Sequence, residues 1–176
     1  MHPAKDSTAK WEKRQPYPPE AIDALTAAAS PRDAVLVLLG AHAALRVSEA
    51  CALEWPDIDL AGGALRVRHG KGDKARTVVL SSRVKVALAR HWEDRSEKPV
   101  RLTEQGARAA LRCLCIRAGV PYLGVHSLRH SSGTRLYKQT GDLETVARHL
   151  GHANLETARI YAKWSDERLK QAVASW

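Results

Sequence analysis

Apolar residues recur at three- and four-residue spacing through most of this chain, and the period shortens to two only between residues 58 and 80. The spacing predicts a first helix over 19–29, opened by Pro18-Pro19-Glu20. Ser30-Pro31-Arg32-Asp33 starts a second over 31–43. It offers a capping serine, a proline whose missing N–H costs nothing in the first turn, and an acid near the positive helix end. This second helix is apolar nearly all round, the mark of a buried element. A short helix over 47–53 closes at Trp55-Pro56. Ile58-Asp59-Leu60, residues 64–68 and residues 76–80 then alternate or carry β-branched runs. Their links, Ala61-Gly62-Gly63 and residues 69–74, are rich in turn formers. Helical spacing returns over 82–95, 103–118, 127–139, 142–150, 155–162 and 165–174, with Gly119, Gly141 and Gly151 where helix C-caps belong. The fold class is mainly α with a small antiparallel three-stranded β-sheet, an α+β arrangement. Residues 1–18, basic and proline-containing, read as a tail or linker stub, and 19–176 as one domain.

Charge narrows the partners. The 176 residues hold 28 Lys+Arg against 19 Asp+Glu, a net charge of +9. Such a balance favours a polyanion, double-stranded DNA first. An anionic membrane surface is the weaker reading, because no lysine-rich amphipathic anchor is visible. The longest apolar run, 34–45, is broken by Gly40 and His42 and is too short to span a bilayer. The polar start lacks a secretory pattern, so the expected location is cytoplasmic. Cys51, Cys113 and Cys115 are too few for a disulfide framework and read as reduced, buried thiols.

The chemistry gathers late in the chain. His126-Ser127-Leu128-Arg129-His130, Leu150-Gly151-His152 and Tyr161 bring together imidazoles, a guanidinium and a phenol, with no carboxylate cluster to hold a metal. Arginine grips phosphate oxygens with two parallel hydrogen bonds. Histidine donates to the same oxygens or moves a proton near neutral pH, and tyrosine can hold a covalent intermediate. The set suits phosphoryl transfer to a protein side chain, with fixed cations in the role magnesium takes elsewhere and no cofactor. A zinc site on His126 and His130, four apart, is the rival. No glutamate follows either histidine as a metalloprotease would need, and no cysteine lies near. His130 reads as packed and His149 as solvated, while Tyr17, Tyr122 and Tyr137 read as structural. The run Arg66, Arg68, Lys71, Lys74 and Arg76 meets only Asp73 locally, which suits a face turned to a DNA backbone.

Ala44-Leu45-Arg46-Val47-Ser48-Glu49-Ala50 with Leu53-Glu54-Trp55-Pro56-Asp57-Ile58-Asp59 resembles the first catalytic box of the tyrosine recombinases, the phage integrases and Xer-type resolvases. Gly70-Lys71-Gly72-Asp73-Lys74-Ala75-Arg76 resembles their hairpin lysine segment, and residues 126–161 their second box. The resemblance implies the catalytic-domain fold of that family and a role for each group. Arg46 and Arg129 clamp the scissile phosphate, and His152 donates to it. His126 stands beside the phosphate and assists proton transfer. Lys71 protonates the leaving 5′ oxygen, Tyr161 becomes a 3′-phosphotyrosine, and Glu49 supports the basic residues. Arg66, Arg68, Lys74 and Arg76 contact DNA. It also implies a site-specific recombinase or integrase that acts without metal or ATP, as a homotetramer on paired sites and a monomer when free of DNA. Each residue has a plainer reading: Arg46 as a capping residue, Lys71 as a solvated turn lysine with Lys74 or Arg76 in its place, Tyr161 as a half-buried aromatic. A type IB topoisomerase-like nicking and closing activity, or a silent DNA-binding regulator with the same fold, are the alternatives.

The chain also departs from the family pattern. Residues before Pro19 are too few for the helical domain that such enzymes place ahead of this one, which implies an excised domain or a short form. Ser132 stands near a position where an aromatic is common. The segment 165–176 resembles the one family members lend to a neighbouring subunit, or else folds back on its own domain.

Overall fold

The computed structural model describes residues 15–68, 75–92 and 98–151. The helices are α1 (Pro19–Ala28), α2 (Pro31–Ala41) and α3 (Val47–Ala52), then α4 (Ser82–His91), α5 (Glu104–Ala118), α6 (Val125–Thr140) and α7 (Leu143–Leu150). Between α3 and α4 lie a 3₁₀ turn, Trp55–Asp57, and strands β1 (Ile58–Asp59), β2 (Ala64–Val67) and β3 (Arg76–Val79). The strands form one antiparallel sheet in the order β1-β2-β3, as the change of period predicted. The helices expected over 155–162 and 165–174 lie outside the described residues.

Helix α2 is the centre of the molecule. Ser30 accepts the Asp33 N–H at 3.3 Å, and Pro31 supplies the first turn. Val35 to Ala41 are all buried, as an all-round apolar helix requires. Against it pack α1, α4, α5 and α6. The crossing with α6 is close because Gly40 has no side chain: a Cβ there would stand 2.8 Å from Leu128 Cβ. That contact seats α6, whose next residue is Arg129. Tyr17 is structural, as expected, but it belongs to the core at 2% exposure although it lies within the stretch that reads as a tail. Its hydroxyl accepts the Leu123 N–H at 2.9 Å, and its carbonyl accepts Ser131 Oγ at 2.9 Å. Burial pushes its phenol well above the ordinary range. Of the cysteines expected to be buried, Cys115 is, Cys51 is half-buried and Cys113 is exposed.

A smaller core joins the two ends of the site. Val146, Ala147 and Leu150, the apolar stripe of α7, bury themselves against Ala44. Asp142 caps α7 by accepting from Glu144 N at 2.9 Å and Thr145 N at 3.2 Å. Gly151 ends it in the left-handed conformation, φ 62°. The loop ahead of α3 and the C-terminus of α7 are therefore neighbours.

Candidate active site

Arg46 stands at the N-cap of α3, and Glu49 is the third residue of that helix. The carboxylate reaches back so that Oε2 accepts the Arg46 backbone N–H at 2.8 Å and Oε1 accepts Arg46 Nη1 at 2.6 Å. This is the reciprocal half of a capping box, here with a guanidinium added. Strand β3 closes the carboxylate from the other side. Arg76 Nη1 donates to Oε1 and Arg76 Nη2 to Oε2, both at 2.8 Å. Burial alone would raise the Glu49 carboxyl, but Arg76 and Arg46 outweigh it and hold it at about 2.

Arg129, buried at 7% exposure on α6, is held differently. Its Nη1 donates to the carbonyl of Ala44 and its Nη2 to the carbonyl of Leu150. Ala44 takes φ 55°, where a side chain is uncomfortable, and its carbonyl is one of the two that hold Arg129. His126 lies on α6 three residues before Arg129, hence on the same side of the helix, and is exposed. His149, expected to be solvated, is instead half-buried and shares a 2.9 Å hydrogen bond with Ser132 Oγ. Burial, with Arg129 and Arg76 nearby, lowers its pKa. The buried Ser132 stands near the position where an aromatic is common in the family, and this polar pair ties α6 to α7.

The structure thus brings Arg46, Glu49, Arg76 and Arg129 around one loop of contacts that runs through Ala44, Leu150 and Gly151. His126 stands exposed at the start of α6, one turn before Arg129. Lys71, Lys74, His152 and Tyr161 lie outside the described residues, although Gly151 is the immediate neighbour of His152. Among the described residues no group of three His, Cys, Asp or Glu could hold a metal ion. Among them, too, no helix is long and apolar enough to cross a membrane.

The basic run on the hairpin needs correction. Its cations looked nearly unopposed along the chain, yet acids arrive from α3 and the 3₁₀ turn. Arg68, exposed, pairs with Asp57 at 2.6 Å and Glu54 at 2.7 Å. Arg76 pairs with Glu49. Arg83, just beyond, pairs with Asp23 at 2.5 Å. Arg66 faces solvent opposite Thr77. Sequence reading passed over the inward turn of Arg76. Its signal was strand parity, since Arg76 shares its side of β3 with Val78, which is buried.

Comparison with known proteins agrees with this fold. Residues 18–168 match the model of the phage integrase family. The chain is 37% identical over 153 residues to the tyrosine recombinase XerA of Thermococcus kodakarensis, covering 80% of this chain and 54% of that protein. A crystal structure of XerA recombinase superposes with a TM-score of 0.81 at 27% identity, covering 91% of this chain and 62% of that one. A XerH site-specific recombinase bound to a palindromic difH substrate, in a post-cleavage complex, gives 0.75 at 26% identity, covering 93% and 53%. The chain spans about half the length of the curated relative it matches. With a family model running nearly end to end over a fold that gathers two arginines and a shared glutamate, the chain belongs to the phage integrase family.

Proposed function

We propose that this chain is the strand-cutting domain of a site-specific DNA recombinase that works through a 3′-phosphotyrosyl intermediate. The observation that carries it is that Arg46 and Arg129, 83 residues apart in sequence, enter one network: Arg46 shares Glu49 with Arg76, which packs on Gly151, and Arg129 donates to the carbonyls of Ala44 and Leu150. In this reading the two guanidinium groups and His152 hold the non-bridging oxygens of a DNA phosphodiester. A phenol titrates near ~10 in water and attacks poorly; the surrounding cations stabilise phenolate at Tyr161 and the charge that grows on phosphorus oxygens. The Tyr161 oxygen forms a bond to phosphorus while the bond to the 5′ oxygen breaks. The phenol proton leaves toward His126 or solvent, and Lys71 gives its ammonium proton to the 5′ oxygen. The ester energy stays in the tyrosyl phosphate, so a hydroxyl from another strand reverses the step without ATP. Four copies on two paired sites, in the cytoplasm, complete the reading. The XerH complex with difH supports DNA as the partner.

The test is a duplex carrying a nick that traps the covalent product. Wild-type chain should give an SDS-resistant protein–DNA band, whether or not EDTA is present. Tyr161→Phe should bind the same duplex and give none. A band that survives in Tyr161→Phe would move the nucleophile elsewhere.

A further inference from the structure

We propose that Arg76 is a positioning residue of this site, holding Glu49 and through it the guanidinium of Arg46, and that it makes no contact with DNA phosphate. The inference deepens the function proposed above and rests on it. Three observations carry it. First, the register pairs Arg76 with Val67 and Val78 with Leu65, so Arg76 belongs to the face of the sheet that looks into the protein. Arg66, paired with Thr77, belongs to the outer face. Second, the Arg76 side chain is only 14% exposed. Its two Nη groups are committed to Glu49, and its Nε is buried with no acceptor among the described residues. Third, the Glu49 carboxylate is filled evenly. Each oxygen accepts one hydrogen bond from Arg46 and one from Arg76.

That arrangement does more than neutralise a charge. A carboxylate bonded only within its own helix can rotate about its side-chain torsions. A planar fork on the far side fixes the plane of the carboxylate, and with it the line along which Arg46 Nη1 donates. Arg76 also packs on Gly151, where a Cβ would fall 2.7 Å from Cδ and 2.9 Å from Nε. One side chain of β3 therefore touches the segment holding Arg46 and the residue preceding His152. Misplacement of a reacting group by about 1 Å costs on the order of 10²-fold in rate.

The experiment compares DNA affinity and single-turnover adduct formation in wild type, Arg76→Gln, Arg76→Lys, Glu49→Gln and the double variant Arg76→Gln/Glu49→Gln. Rates are normalised to the folded fraction. Arg76→Gln should bind duplex DNA within about two-fold of wild type with an unchanged salt slope, while its adduct rate falls on the order of 10²-fold. A phosphate contact would instead lower the slope of log affinity against log salt by about 1; that result overturns the inference, as does a wild-type adduct rate. Arg76→Lys keeps the charge, folds with its acid partner still opposed, and loses the fork. It should remain at least about ten-fold slow; full recovery would mean that charge alone matters and would also overturn it. The double variant should be no slower than the slower single one, whereas multiplied losses would show two independent roles. Absence of adduct from wild type retires the recombinase reading itself, an outcome distinct from any of these.

Discussion

The two arginines of the candidate site are anchored by different chemistry. Arg46 shares a carboxylate with Arg76, whereas Arg129 is gripped by the peptide carbonyls of Ala44 and Leu150. A carboxylate fixes a guanidinium but cancels part of its field, and it can itself be protonated. A carbonyl fixes it without cancelling charge and does not titrate. The Arg46 half therefore depends on the ionisation of one buried acid. The Arg129 half depends on backbone geometry, including the left-handed Ala44.

The largest effects should come from removing the anchors. Glu49→Ala leaves two guanidinium groups facing each other without their acid and should cost about 3–5 kcal/mol of stability. Arg129→Ala bares two buried carbonyls and should cost less, about 2–3 kcal/mol. Chemical denaturation of both variants checks the order; a reversed ranking would show that the backbone grip is the stronger of the two. Under the proposed function, activity should rank them the other way, since there Arg129 holds the DNA phosphate directly and Glu49 does not.

Acid separates the halves next. His42 is held at about 4 by burial and by Arg135 and Arg83, and His149 is lowered by burial, Arg129 and Arg76. Their neutral forms are favoured in the folded protein, so the unfolded chain takes up the protons first. Stability should fall as pH drops below about 6.5, the ordinary histidine value. For half-buried His42 the loss is about 2 kcal/mol by pH 4. Glu49 has a depressed pKa, so its contribution is whole above the ordinary carboxyl range. It fades only as pH falls through that range toward about 2, a loss on the order of 3 kcal/mol. Thermal melts across pH should show two steps, with His149→Gln shrinking only the upper one. The smallest effect belongs to the outer hairpin face. Arg66→Gln should reduce the salt slope of DNA binding by about 1 while leaving the melt unchanged.

Much of the fold was legible because local signals agreed with tertiary packing. Ser30 caps the helix that its position announced, Thr103 and Asp142 turn out to cap the helices expected to begin with them, and Gly119, Gly141 and Gly151 end helices in the left-handed conformation. Helix α6 begins at Val125, two residues ahead of the start that Ser127 suggested, because Gly124 at φ 94° turns the chain into it earlier. Tyr17 was hidden by a proline-rich neighbourhood whose composition resembles a linker; nothing local shows that Leu123 and Ser131 wait for it. In the site, Glu49 was legible through the family resemblance, which implied that it supports the basic residues. Arg76 was read as one more cation in a run, although alternation already aligned it with buried Val78. His149 carried a similar clue: it falls at helical spacing from Val146, on the edge of the stripe that α7 buries. Charge counted along the chain overlooked Glu49, Glu54 and Asp57, because ion pairs are set by folding and not by adjacency.

The bare backbone of Gly40 has a consequence for how such a domain can diversify. Leu128 rests on it, and Arg129 is the next residue along α6. Added bulk at position 40 would push a whole helix, and the guanidinium would travel with it. Under the proposed function, variation that alters which DNA is cut is free to accumulate on loops and on the outward side of the hairpin. The crossing of these two helices has to be inherited nearly unchanged.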